Sequence, residues 1–172
     1  IGVNIRFTAG AAPVLATPVH AGSASRSAHC TRARRAHTMH LDQALVHAAI
    51  ELLERRFPGR EGIAAAMYTQ EHEVLTSVYF EPEWGSAMLC AEAGAICEAE
   101  KLGKRVVASV CVSRLDGASP IYVLTPCGIC QERLFHWGQD VEVAVPNADD
   151  PTTWRVKTLR EVQPYYWVNA FG

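Results

Sequence analysis

Four residues in this sequence have the types and spacing for metal-assisted acid–base chemistry. Cys90 and Glu92 stand in Cys90-Ala91-Glu92, and Cys127 and Cys130 in Pro126-Cys127-Gly128-Ile129-Cys130. The second pair is spaced i and i+3, neighbours on one helix face, so both sulfurs can reach one ion. A third sulfur from Cys90 makes three protein ligands, the number at which catalytic zinc keeps its fourth position for water. Glu92 falls in the same turn as Cys90 and can face that position without ligating. Zinc brings the pKa of bound water toward neutrality, and a carboxyl group can then carry the proton. Both motifs fall at expected helix starts, where the dipole favours thiolates.

The Cys-x-x-Cys pair taken alone is equally the pattern of a redox dithiol or of half a structural zinc site. A redox role leaves Cys90 and Glu92 unexplained. A structural site needs a fourth ligand. Cys97 lies seven residues beyond Cys90 on the same expected helix, about 10 Å away by helix rise. Cys111 sits in an apolar run and reads as a small core residue. His136, nine residues past Cys127, reads as a surface or packing histidine. The catalytic arrangement uses all four residues.

Several elements must hold these side chains. Residues 41–56 carry apolar side chains at Leu41, Leu45, Ala48, Ala49, Leu52 and Leu53, one helix face, and Phe57-Pro58-Gly59 ends that helix. Residues 63–69 and 73–80 read as strands around a turn at Gln70-Glu71-His72. Residues 90–102 are Ala- and Glu-rich and helical, stopped by Gly103. Residues 105–112, 121–124 and 141–145 are continuous apolar runs typical of doubly covered strands. Between the last two, residues 127–137 read as a helix ending at Gly138, and 154–159 as a short strand. One helix, two strands, then alternating helix and strand predict an α/β domain, a mixed sheet with helices on both faces.

The chain has 172 residues, 49% hydrophobic and 20% charged, with a net charge of −2. That near-neutrality conceals an asymmetry. Residues 1–38 contain five arginines and no acidic residue; residues 39–172 hold the other 11 basic residues against all 18 acidic ones, a net of −7. The first segment is rich in Ala, Ser, Thr and Pro and has no sustained period. It reads as disorder, a targeting-like segment or upstream non-native sequence, and residues 39–172 as the catalytic domain. The acidic balance of that domain argues against a nucleic-acid partner, because phosphate contacts call for a basic patch. No apolar run approaches the ~20 residues of a bilayer span, so no membrane association is expected, and the expected location is cytoplasmic.

The combined motifs match the pattern described for zinc deaminases, (H/C)-x-E followed by P-C-x-x-C. Over nearly all of residues 41–167 the sequence resembles the cytidine deaminase family, in the branch with three cysteine ligands that includes blasticidin-type deaminases. The family's C-A-E-R and P-C-G-x-C-R-Q stand here as Cys-Ala-Glu-Ala and Pro-Cys-Gly-Ile-Cys-Gln-Glu. The ending Leu159-Arg160-Glu161-Val162-Gln163-Pro164-Tyr165-Tyr166-Trp167 is also similar. The resemblance implies a three-layer α/β/α fold with a mixed five-stranded sheet, and one Zn²⁺ per subunit on Cys90, Cys127 and Cys130. It implies hydrolytic deamination of a small pyrimidine, with Glu92 protonating the ring and then the leaving ammonia. It also implies a homotetramer, or a homodimer, whose sites borrow residues across chains.

Substrate-binding candidates follow from the same resemblance. Where the family has its ribose-binding N-x-E, this sequence has Tyr79 and Glu81; Ala91 separates the ligand from the proton carrier; Trp167 falls at the family's terminal aromatic. Glu61 replaces the pocket phenylalanine. Trp84, just before the zinc helix, either lines the pocket or caps the core. Family arginines that offset the thiolates are replaced by Ala93 and Gln131, so Arg133 becomes the candidate for charge compensation. Two alternatives remain: a non-catalytic zinc-stabilised binding module, and a deaminase of another aminopyrimidine such as blasticidin S.

Overall fold

The computed structural model describes residues 40–171. The expected domain core lies within them; the reading of residues 1–38 falls outside. Helix α1 spans Gln43–Arg56. Its start is set by Asp42, whose carboxylate accepts the Leu45 N–H at 3.0 Å, a cap contributing about 1 kcal/mol. The Tyr68 hydroxyl donates to the same oxygen at 3.0 Å and so ties the helix start to the sheet. Phe57, at φ −129° and ψ 58°, and Gly59, at φ 62°, end the helix as the Phe-Pro-Gly sequence predicts.

Strands β1 (Gly62–Thr69) and β2 (Val74–Val78) form an antiparallel hairpin. Its turn falls at the expected residues, with His72 in the left-handed region at φ 68°. Helix α2 (Glu92–Lys101) precedes the central strand β3 (Val106–Arg114). The short β4 (Tyr122–Leu124), helix α3 (Gly128–Leu134), β5 (Glu142–Pro146), β6 (Trp154–Thr158) and helix α4 (Leu159–Val162) follow.

The sheet order is β2-β1-β3-β5-β6, and β4 also pairs with β3. The sheet therefore has six strands, one more than the expected five. One edge of β3 is shared: Ala108 and Ser109 pair in parallel with β5, while Cys111, Val112 and Ser113 pair antiparallel with β4. The other edge pairs along its length with β1. The sheet is mixed and helices cover both faces, as the element order predicts.

Two-residue periodicity divides the core between those faces. Ala64, Ala66 and Tyr68 of β1 and Ala108, Val110 and Val112 of β3 face Leu45, Ala49 and Leu53 of α1. On the opposite face Met67, Val106, Val143 and Val145 meet Ala95 and Ala99 of α2, Leu134 of α3 and Trp137 just beyond it. A register shift after Tyr68 rephases the start of β3, which sends Val106 to the α2 face although Ala108 faces α1. Each fully buried Leu or Val contributes roughly 1.5–3 kcal/mol.

Arg114 closes one end of the α1 layer. It is 7% exposed and donates to Glu54 at 2.7 Å, the Phe57 carbonyl at 2.6 Å and the Arg60 carbonyl at 3.2 Å. Glu54 is half-exposed, so the two carbonyls carry most of the effect. Arg114→Met keeps the apolar stem and strands those carbonyls. It is expected to cost about 2 kcal/mol of stability, read as a lower urea midpoint at unchanged slope; a loss below about 0.5 kcal/mol would show the clamp to be dispensable.

Candidate active site

The end of β2 delivers the first motif. Phe80 and Leu89 exchange backbone hydrogen bonds at 3.0 and 2.8 Å, closing a loop of eight residues between them. Cys90 emerges from that closure, and Ala91 and Glu92 open α2. The second motif follows β4. Pro126 is buried, Cys127 is the extended N-cap of α3 at φ −65°, ψ 164°, and Cys130 lies inside the helix. Cys127 thus precedes the helix, whereas the spacing argument puts both cysteines on it. The turn is locked by Gln131, whose side-chain amide donates to the Pro126 carbonyl at 2.7 Å. Nothing in the motif spacing points to Gln131 as the residue that locks this turn.

The three sulfurs of Cys90, Cys127 and Cys130 all lie within 4.8 Å of one another, and the Cys90 and Cys127 Sγ atoms are 3.3 Å apart. Tetrahedral zinc with ~2.3 Å bonds to sulfur spaces its thiolates about 3.8 Å apart, so the separations fit that ion. Among the described residues no other cluster of this kind occurs. Cys97 is exposed and outside the cluster, and His136 is a surface residue 3.4 Å from Glu100.

Electrostatics in the cluster are those of crowded acids. The Cys90 thiol is pushed up by its hydrogen bond with Cys127 and by burial. Burial pushes Cys127 up as well, but the Cys130 and Ile129 amides and the neighbouring thiols prevail and hold it below the ordinary thiol value. Cys130 is fully buried and raised, first by burial and then by the charges of Glu92, Cys127 and Cys90. A divalent cation is the partner such a donor set lacks. Glu92 is 3% exposed. Burial raises its carboxyl; its own amide, the Cys130 thiol and the Arg133 charge hold it down in part.

Glu92, Cys90 and Cys127 open onto one cavity of about 180 Å³. Its other walls are mostly apolar: Ile63, Tyr79, Met88, Leu89, Cys111 and Leu124, with Ala91 and Thr125. Tyr79 is braced by Phe57, ring centroids 5.3 Å apart. Cys111 is the core residue expected from its apolar run, and it also forms part of this wall. Strand pairing brings it there: Cys111 stands opposite Ala65 on one side and Leu124 on the other. Its thiol is pushed up by burial and by the charges of Glu92, Cys90 and Cys127.

Several candidates stand away from the cavity wall in the described chain. Glu81 rides on the loop closed by Phe80 and Leu89 and is exposed, as is Trp84 at 76%. Glu61 is exposed ahead of β1. Trp167 belongs to the C-terminal 3₁₀ turn Trp167–Phe171 and is 62% exposed. The neighbouring Tyr166 is buried, packs tilted against Phe135 with ring centroids 4.0 Å apart, and donates to Glu132 at 2.7 Å. Arg133 lies on a separate groove with Ile96, Phe135 and Tyr166, and acts on Glu92 through its charge.

Residues 39–145 match the family model of the cytidine and deoxycytidylate deaminase zinc-binding region. The chain belongs to this deaminase family. Among solved structures, the cytidine deaminase of Bacillus anthracis is 42% identical with a TM-score of 0.70, over 75% of this chain and 91% of that one. The cytidine deaminase of Mycobacterium leprae, 24% identical with a TM-score of 0.56 over 70% of this chain and 95% of that one, shares the fold. Blasticidin-S deaminase of Bacillus cereus is 28% identical over 109 residues, 60% of this chain and 78% of that relative. As a deaminase, the protein has the cytidine deaminase-like fold, is a zinc-dependent hydrolytic enzyme and carries its three-cysteine cluster inside the matched region. Among the described residues of this deaminase, no helix is long and apolar enough to cross a membrane.

Proposed function

We propose that the protein deaminates a cytidine-like compound (cytidine, deoxycytidine or a modified cytosine) to the uridine-like product and ammonia. The observation that carries this reading is the burial of Glu92 in the same small cavity as the Cys90 and Cys127 sulfurs. The chemistry is a substitution at C4 of the ring. Water forms the new C4–O bond, the C4–N bond breaks, and ammonia leaves. One proton must reach ring N3 and another the departing amine. Glu92 is the one carboxyl among the described residues lining the cavity, and it carries both. Cys90, Cys127 and Cys130 would hold zinc, which when bound supplies an acidified water and a positive field at the reacting carbon. The Ile129 and Cys130 amides steady the Cys127 sulfur, and Arg133 offsets part of the negative charge of the site.

The apolar walls exclude bulk water and take a planar ring, with Ala91 and Tyr79 as its contacts. Glu81 and Trp167 would reach a substrate through a neighbouring subunit or a closed loop. A homotetramer, or a homodimer, accounts for the exposed Phe80, Trp84, Met88, Leu89, Ile129 and Trp167, and cytoplasmic nucleoside salvage is the setting. The likeness to blasticidin-S deaminase favours a second reading, another aminopyrimidine such as blasticidin S as substrate.

Ammonia release by the zinc-loaded protein separates the two. The expected result is turnover of cytidine or deoxycytidine at least tenfold above blasticidin S in kcat/KM. Turnover of blasticidin S alone moves the substrate and keeps the chemistry; ammonia from none of them, with zinc bound, returns the binding-module reading.

A further inference from the structure

Ala91, the N-cap residue of α2, has no side chain that can cap the helix, although that helix start carries Glu92 and adjoins Cys90. Ser77 of β2 does the work from outside. Its Oγ donates to the Ala91 carbonyl at 2.5 Å and accepts the Ala95 N–H at 2.9 Å. Those two backbone groups are i and i+4, the pair that helical geometry joins. One hydroxyl therefore grips both ends of the first turn. The Ala91 carbonyl belongs to the peptide unit between Ala91 and Glu92, so its position sets how Glu92 and Cys90 leave the backbone.

The grip depends on close approach. A Cβ on Gly94 would come 2.8 Å from Ser77 Cβ and 3.4 Å from its Oγ. Ser77 stands opposite Ala65 on β1, and Ala65 packs with Ala91 and Cys111. Small side chains on strand and helix let the start of α2 seat directly on the sheet, and the serine supplies the polar contact that registers it. On the other side of the cluster, Cys127 and Cys130 stand at the start of α3 and within it, beside the Gln131 lock.

We propose that Ser77, with Gly94 as its seat, is the positioning residue that registers Glu92 and Cys90 against Cys127 and Cys130. The proposal rests on the deaminase reading of the site. It is tested on the zinc-loaded full chain with two readouts, turnover of cytidine and the rate at which zinc passes to a chelating dye. Ser77→Ala is expected to lose roughly tenfold in kcat with KM within about twofold, since misplacing a reacting group costs rate more than binding. Zinc should pass to the dye several-fold faster than from wild type. Gly94→Ala keeps the hydroxyl but wedges helix from strand, and is expected to show the same pair of changes. Should Ser77→Ala not fold, Gly94→Ala carries the test alone. Wild-type kcat together with wild-type zinc release, or a loss confined to KM, overturns the proposal. If the wild-type protein does not turn over cytidine, the deaminase reading has failed on that substrate and zinc release alone decides the role of Ser77.

Discussion

Glu92→Gln is expected to lower ammonia release by about three orders of magnitude while one zinc stays bound per chain. Glutamine has the same shape as glutamate, so the pocket around position 92, 3% exposed in the native chain, stays filled. The amide can still accept and donate hydrogen bonds. What it cannot do is take a proton from water and hand it to a ring nitrogen and then to a leaving amine. General acid–base catalysis contributes roughly 10²–10⁴-fold, and here one group performs two transfers, which lifts the expected loss from the bottom of that range to its middle. The cavity offers no substitute, because its remaining described walls are apolar side chains, thiols, a tyrosine and a threonine. The check is kcat for cytidine beside zinc content and melting temperature of the same preparation. A variant that keeps more than a tenth of the activity would show that another group moves the protons.

Much of this site is legible in the amino-acid sequence, and the reason is local. Cys90 and Glu92 are two residues apart, Cys127 and Cys130 three, so each pair reaches the site on one short piece of backbone. The helices and the doubly buried strands are legible for a similar reason: residues 41–56 repeat with the helical period, and β3 is apolar on both faces because helices cover both.

The features that stay hidden in the sequence depend on pairing between distant segments. Cys111 enters the cavity wall only because β3 lies between β1 and β4 in one register, with Ala65 and Leu124 as its partners. Nothing within a few residues of Cys111 announces that. Glu81 matches the family's glutamate by its distance from Cys90 along the chain, but that distance does not say that the intervening residues form a loop closed by Phe80 and Leu89, on which Glu81 is exposed. Cys127 departs from expectation for a different reason. The i, i+3 argument assumes helix at both residues, whereas the residue that begins a helix is commonly an extended cap, and Cys127 is one. The sulfurs still converge, because a cap residue and the third residue after it also share a side of the first turn. Ser77 belongs with Cys111: a serine in a strand says nothing of the helix it grips until the sheet is assembled.

Removal of one sulfur should have an effect as large as removal of the carboxylate, by a separable route. Cys130→Ala is expected to reduce bound zinc to below about a tenth per chain and to take activity down with it. Three thiolates hold the ion; with two, affinity falls and the fixed geometry around the open position is lost. Cys130 is the informative choice because it is fully buried inside α3, so no solvent-borne ligand readily takes its place. Packing alone cannot account for such a result. Trading a buried thiol for a methyl group costs about 1 kcal/mol, which lowers the melting temperature by a few degrees and leaves the chain folded. Cys97→Ala supplies the control, an exposed thiol seven residues from Cys90 and outside the cluster, and should retain zinc and rate. The two routes then part cleanly. Glu92→Gln keeps the metal and loses the proton carrier; Cys130→Ala keeps the carboxylate and loses the metal. A Cys130→Ala protein that still binds one zinc per chain would place the ion elsewhere and detach Glu92 from the chemistry assigned to it.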